Sequence, residues 1–216
     1  MYQRSTYELA EFAEEAIAAF IMALSVLNSI YLSTRSEGIT NVNVVIFSVL
    51  GACAAWGLID GVVQYVGIEV RRSRFRRLSK SLRSSMSLRQ FTDHLQRNID
   101  EDIIHNWGQD AVSALFEDKD EIREVPKPSA RLRDAAAFLS VLFVYSLAAL
   151  ITILPLLLLS KLHSAVVVSN SISTLALFAI GYLWGSSTDH DRPWFLGVIT
   201  AFTAFVLLVT CVALGG

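Results

Sequence analysis

Asp60 is the one carboxylate inside an otherwise almost wholly apolar run, residues 43–67, NVVIFSVLGACAAWGLIDGVVQYVG. At 1.5 Å per residue, about 25 residues cross the ~30 Å hydrocarbon layer with some tilt, so Asp60 falls within the bilayer, nearer the end that leads into Glu69. An aspartate at such depth costs about 2.5–3.5 kcal/mol on insertion scales; residues of this kind face a bundle interior or a wet cavity and mark ion or substrate paths. The plainer reading is a buried aspartate satisfied by neighbouring serine, tyrosine or backbone groups. The chemistry a lone intramembrane carboxyl group allows is cation ligation that alternates with a bound proton, so that metal entry and proton release are linked at one side chain. Gln64, one turn later on the same face, offers a neutral oxygen, as do Asn28 or Ser25 of the preceding apolar run if that helix lies adjacent.

Other ligand-type residues lie at helical spacing. Glu8, Glu11 and Glu15, with Glu14 alongside, stand at the entrance of the first apolar run. Acids in the first turns of a helix are favoured by the macrodipole, which explains each singly; the four together also make a cation funnel. Farther on, Asp93, Glu101 and His105 occupy one i, i+4 row broken by Arg97, and Glu117, Asp120, Glu121 and Glu124 share another. Carboxylates and imidazole suit Fe²⁺, Mn²⁺ or Zn²⁺, and ligands at i, i+3 or i, i+4 converge on one ion. An acidic helix face is more often only a solvated one. Asp189, His190 and Asp191, in STDHDRP, read as a turn or as a cytoplasmic ion contact.

Enzymatic chemistry has little to stand on. The chain has no Ser/His/Asp or Cys/His arrangement, Gly-rich phosphate loop or HExxH pattern. Both cysteines, Cys53 and Cys211, fall inside apolar runs as small hydrophobes, outside any disulfide framework or zinc spacing.

The elements that must position Asp60 follow from composition. With 53% hydrophobic and 18% charged residues the chain is an integral membrane protein, and the formal net charge of −2 conceals a segregation of charge into residues 71–134. The expected fold is all-α, with five transmembrane helices: 10–32, 43–67, 135–160, 165–185 and 194–214. The acidic N-terminus has no basic n-region or small-residue cleavage site, so the first run is expected to stay as a membrane helix. A tight loop, 33–41, joins the first two spans, and a four-residue hairpin, 161–164, joins the third and fourth. Pro155 suggests a kink that exposes carbonyls to a cavity, and Gly181 and Gly185 a close helix contact. Three regions result: 1–70 with two spans and the acidic entrance, 71–134 as a charged helical insert, and 135–216 with three spans.

The insert opens with Arg71, Arg72, Arg74, Arg76, Arg77, Lys80 and Arg83, a cytoplasmic topological anchor in contact with anionic headgroups. Juxtamembrane and with a single interleaved aromatic residue, Phe75, the run is a poor indication of nucleic-acid binding. Leu88, Phe91, Leu95, Ile99, Ile103 and Trp107 predict one amphipathic helix over 87–107 capped by Ser87 and interrupted at Gly108. A second helix would present Val112, Leu115, Phe116 and Ile122. So small an insert must pack on itself, on the membrane helices or on a second copy.

Five spans, a charged helical insert after the second, the intramembrane acid in WGLIDGVVQYVG and the LPLLLL ending of the third span together resemble the vacuolar iron transporter family and its bacterial relatives. The resemblance implies a homodimer that exchanges divalent cations, Fe²⁺ or Mn²⁺, for protons, with metal captured at the insert. On that reading Asp60, Gln64, Asn28, Glu14 and Glu15 line the transport path and Glu101, His105, Glu117 and Glu121 hold metal. The metal is bound as ligand or cargo, not as a permanent cofactor. The other class that fits is a non-transporting membrane scaffold or sensor whose insert binds lipid headgroups or a partner protein. The charge rule orients the chain with the N-terminus and insert in the cytoplasm and the C-terminus outside or in a lumen.

Overall fold

The computed structural model describes residues 2–36, 41–99, 101–122, 132–188 and 190–213, with side chains over 12–35, 41–99, 106–122, 135–188, 190–210 and 213. Regular structure there is wholly helical: α1 (Tyr2–Ser36), α2 (Val42–Arg83), α3 (Leu88–Gln96), α4 (Glu101–Glu117), a 3₁₀ turn (Lys119–Glu121), α5 (Leu132–Leu158), α6 (Leu162–Ser187) and α7 (Pro193–Ala213). Five stretches, Phe12–Arg35, Val42–Arg83, Ala135–Leu158, Leu162–Ser187 and Pro193–Thr210, are long and apolar enough to cross a membrane.

The helix ends differ from those expected, and α2 differs most. Beyond Gly67 it continues to Arg83 as one 42-residue helix, because the Arg, Lys and Leu of the basic run are good helix formers and no proline intervenes. The hairpin expected over 161–164 is shorter than four residues, since α6 begins at Leu162 with Lys161 as its extended N-cap.

The chain divides into two compact units, Met1–Val62 with Ala136–Gly216, and Val63–Ala135. In the first, α1 packs on α6 and α7, and α6 on α7. Alanines at 16, 19 and 23 are buried on α1 and allow close approach, whereas Phe47, Leu158 and Leu175 point outward, as suits an acyl-chain solvent. Gly181 and Gly185 make the close contact expected of them. A Cβ at Gly181 would lie 2.2 Å from Thr200 Oγ1 and 2.8 Å from the Leu196 carbonyl, and one at Gly185 would lie 2.9 Å from Pro193 Cα. Thr200 itself donates to the Leu177 carbonyl across the same interface at 2.8 Å. Pro155 sits inside α5 and is buried; it supplies no N–H to the carbonyl one turn before it, while its own carbonyl accepts from Leu159 N at 3.0 Å.

The second unit packs on itself. Leu78 and Leu82 of α2, Phe91 and Leu95 of α3 and Val112 of α4 form a small core, with Ile99, Phe116 and Ile122 against it. Phe91 and Phe116 meet edge to face at 5.6 Å between centroids. Lys119 Nζ lies 4.6 Å above the Phe116 ring and donates to the Ser85 carbonyl.

Ser87 caps α3 as expected, accepting from Gln90 N at 3.3 Å. The single helix over 87–107 does not form: α3 stops at Gln96 and α4 starts at Glu101. Ile99 N reaches back to the Leu95 carbonyl at 2.8 Å, and Asn98 donates its side-chain amide to the His94 carbonyl at 2.9 Å. The local turn brings Ile99 onto the core, and asparagine favours such side-chain-to-backbone bonds. Leu88, Trp107 and Leu115, expected on the apolar faces, are exposed. Gly108 breaks α4 as expected, with φ +73°, a left-handed conformation suited to glycine.

Candidate functional site

Asp60 lies about 27 Å along α2 from Val42 at the helical rise, half-buried in the first unit. The close approach of α2 and α5 decides what it meets. A Cβ on Gly57 would come within 3.0 Å of Tyr145 Cβ, and one on Gly61 within 2.7 Å of Phe138 Cδ2. These two glycines flank Asp60 and leave room for the α5 aromatic rings. The Tyr145 hydroxyl donates a hydrogen bond to Asp60 Oδ2. Tyr145 is 2% exposed, so its ring is part of the apolar core while its hydroxyl serves the carboxyl group.

Glu15 of α1, half-buried, is within electrostatic reach of Tyr145, as is Asp60. Three helices therefore contribute two carboxyl groups and a phenol to one locality: Glu15 from α1, Asp60 from α2 and Tyr145 from α5. Oxygen donors of this kind suit hard divalent cations and also hold protons.

The remaining path residues are distributed differently. Glu14 is exposed. Ser25 turns onto its own helix, donating to the Ile21 carbonyl at 2.7 Å. Asn28, expected to add an oxygen beside Asp60, instead pairs with Asn170 of α6 and donates to the Leu24 carbonyl at 2.8 Å. Gln64 belongs to the second unit. Nothing in the sequence singled out Tyr145; its one signal is that it is the single phenol of its span, within FLSVLFVYSLAAL.

At the insert the side chains of Glu101 and His105, and residue Glu124, lie outside the described residues. Asp93, exposed on α3, does not share a helix with Glu101 and His105, because the turn at Asn98 separates them. Glu117 is the last residue of α4, and Asp120 and Glu121 sit in the 3₁₀ turn, so the i, i+4 row expected of them is broken; all three are exposed. Among the described residues no group of three or more His, Cys, Asp or Glu side chains is placed to hold a metal ion. Asp189 is also outside the described residues, while His190 Nδ1 accepts from Arg192 N at 3.1 Å, a turn.

A further polar site lies where α1 ends and α6 begins. The Tyr31 hydroxyl and His163 Nδ1 are 2.9 Å apart, beside a cleft of about 250 Å³ bordered by Thr34, Arg35 and Leu162. Deeper in the bundle Thr152 Oγ1 meets Ser173 Oγ at 3.3 Å, and Ser169 donates to the Thr152 carbonyl at 2.5 Å. No described buried side-chain nitrogen or oxygen lacks a partner, as an apolar surrounding demands.

No family model and no curated protein matches this chain.

Proposed function

We propose that this chain is a membrane transporter of divalent metal cations, Fe²⁺ or Mn²⁺, that exchanges them for protons and works as a homodimer. In this reading the N-terminus and the 71–134 insert face the cytoplasm. The observation that carries it is the Asp60 carboxyl group, kept inside an apolar span, hydrogen-bonded by Tyr145 and sharing that hydroxyl's surroundings with Glu15. Intramembrane carboxyl groups are expensive and mark ion paths. In the resting state Tyr145 donates to Asp60, which carries the exchangeable proton. An arriving cation takes the carboxylate oxygens and releases that proton, so the two species compete for one set of atoms. Acids at the entrance and the insert residues Glu101, His105, Glu117 and Glu121 would raise the local cation concentration before entry.

The test is uptake of Mn²⁺ and Fe²⁺ into proteoliposomes, with and without a pH gradient, for the wild type and for Asp60→Asn. Asparagine keeps the shape and removes the charge. The expected result is a folded variant without proton-coupled uptake; a stable variant that transports normally would make Asp60 structural. The second reading, a non-transporting scaffold or sensor, draws on the exposed basic side chains toward the end of α2. Uptake indistinguishable from empty vesicles for the wild type would favour it.

A further inference from the structure

Along one face of α2, within the second unit, Val63, Val66 and Val70 are exposed at helical steps, and Arg74, Arg77 and Lys80 continue the same stripe, also exposed. Leu78 and Leu82, on the adjoining face of this part of the helix, enter the small core, while the stripe itself stays exposed. A cleft of about 380 Å³ runs along it, bordered also by Tyr65, Glu69 and Ser73. Glu69, the one acid among the described residues there, is paired with Arg72 at 3.3 Å rather than with Arg74 or Arg77.

The order of side chains is the order of chemistry in a phospholipid. Apolar branched residues suit an acyl chain, and two guanidinium groups one turn apart suit a phosphate, which arginine binds through paired N–H donors. The valines continue the exposed apolar surface of a helix that is long and apolar enough to cross a membrane. We propose that this face is a site for one anionic phospholipid, its acyl chain along Val63, Val66 and Val70 and its phosphate on Arg74 and Arg77, with Lys80 beyond. This does not depend on transport.

The experiment is native mass spectrometry of the full chain in a neutral detergent, titrated with dioleoyl phosphatidylglycerol or dioleoyl phosphatidylcholine. The wild type is expected to retain phosphatidylglycerol preferentially. R74Q/R77Q should lose that preference by on the order of ten-fold or more, each basic residue near an anionic surface contributing comparably. R89Q/R97Q, two exposed arginines of α3 and the turn after it, should bind as the wild type. Equal retention of the two lipids, or equal loss in both double variants, would overturn the site. Competition by glycerol 3-phosphate would assign the arginines to a free phosphate instead and overturn the lipid. Should R74Q/R77Q not fold, Val66→Trp serves: brominated phosphatidylglycerol must quench its fluorescence more than brominated phosphatidylcholine, and equal quenching rejects the proposal.

Discussion

Asn28 of α1 and Asn170 of α6 exchange their amides across the bundle, each side-chain nitrogen donating to the other's oxygen, at 3.0 Å and 2.9 Å. Removing Asn28 takes away both bonds of the exchange from Asn170, and removing Asn170 leaves the Asn28 oxygen without its donor although the Asn28 nitrogen keeps the Leu24 carbonyl; losses of this kind in an apolar setting cost about 1–3 kcal/mol. Asn28→Ala and Asn170→Ala should each lower the melting temperature in detergent, and the double variant should lose less than the sum of the two. Additive losses would mean that the pair is not coupled.

Tyr145→Phe removes one hydroxyl and keeps the ring that packs against Gly57. Folding is expected to survive, while metal uptake falls several-fold and its pH dependence changes, because Asp60 loses its hydrogen-bond donor. An uptake profile identical to the wild type would separate Tyr145 from the ion chemistry.

Gly181→Ala is expected to destabilise, because its methyl group would collide with Thr200 and with the Leu196 carbonyl, and backbone does not yield cheaply. Overpacking of this kind costs about 1–3 kcal/mol. Gly51→Ala, whose Cβ meets nothing within 4 Å, is the control and should be neutral or slightly stabilising. Thermal unfolding of both variants decides.

Cysteine labelling in intact cells tests orientation. With the insert cytoplasmic, Arg4, fourteen basic residues of 71–134 and Arg192 lie inside, against Arg35 and Lys161 outside. Arg35→Cys should react with an impermeant reagent and Lys80→Cys should not; the reverse pattern would invert the topology.

Calorimetry with Mn²⁺ on the solubilised chain tests capture at the insert. Alanine replacement of Glu101, His105, Glu117 and Glu121 should weaken binding, and unchanged binding would leave Asp60 and Glu15 as the sole proposed ligands.

Composition and the length of the apolar runs determined that this chain carries five helices long and apolar enough to cross a membrane, since a bilayer admits few alternatives to the helix. The same apolar context singled out Asp60. Local signals also located the Ser87 cap, the break at Gly108 and the small-residue contact at Gly181 and Gly185, because each depends on backbone rules that act within a few residues. Tertiary structure alone decided that the donor to Asp60 is Tyr145, that Asn28 turns to Asn170, and that the helix beginning at Leu88 stops so that Ile99 can reach the insert core. A periodic pattern specifies which face of a helix is apolar. Which helix that face meets, and at what height, is set by the packing of all of them together.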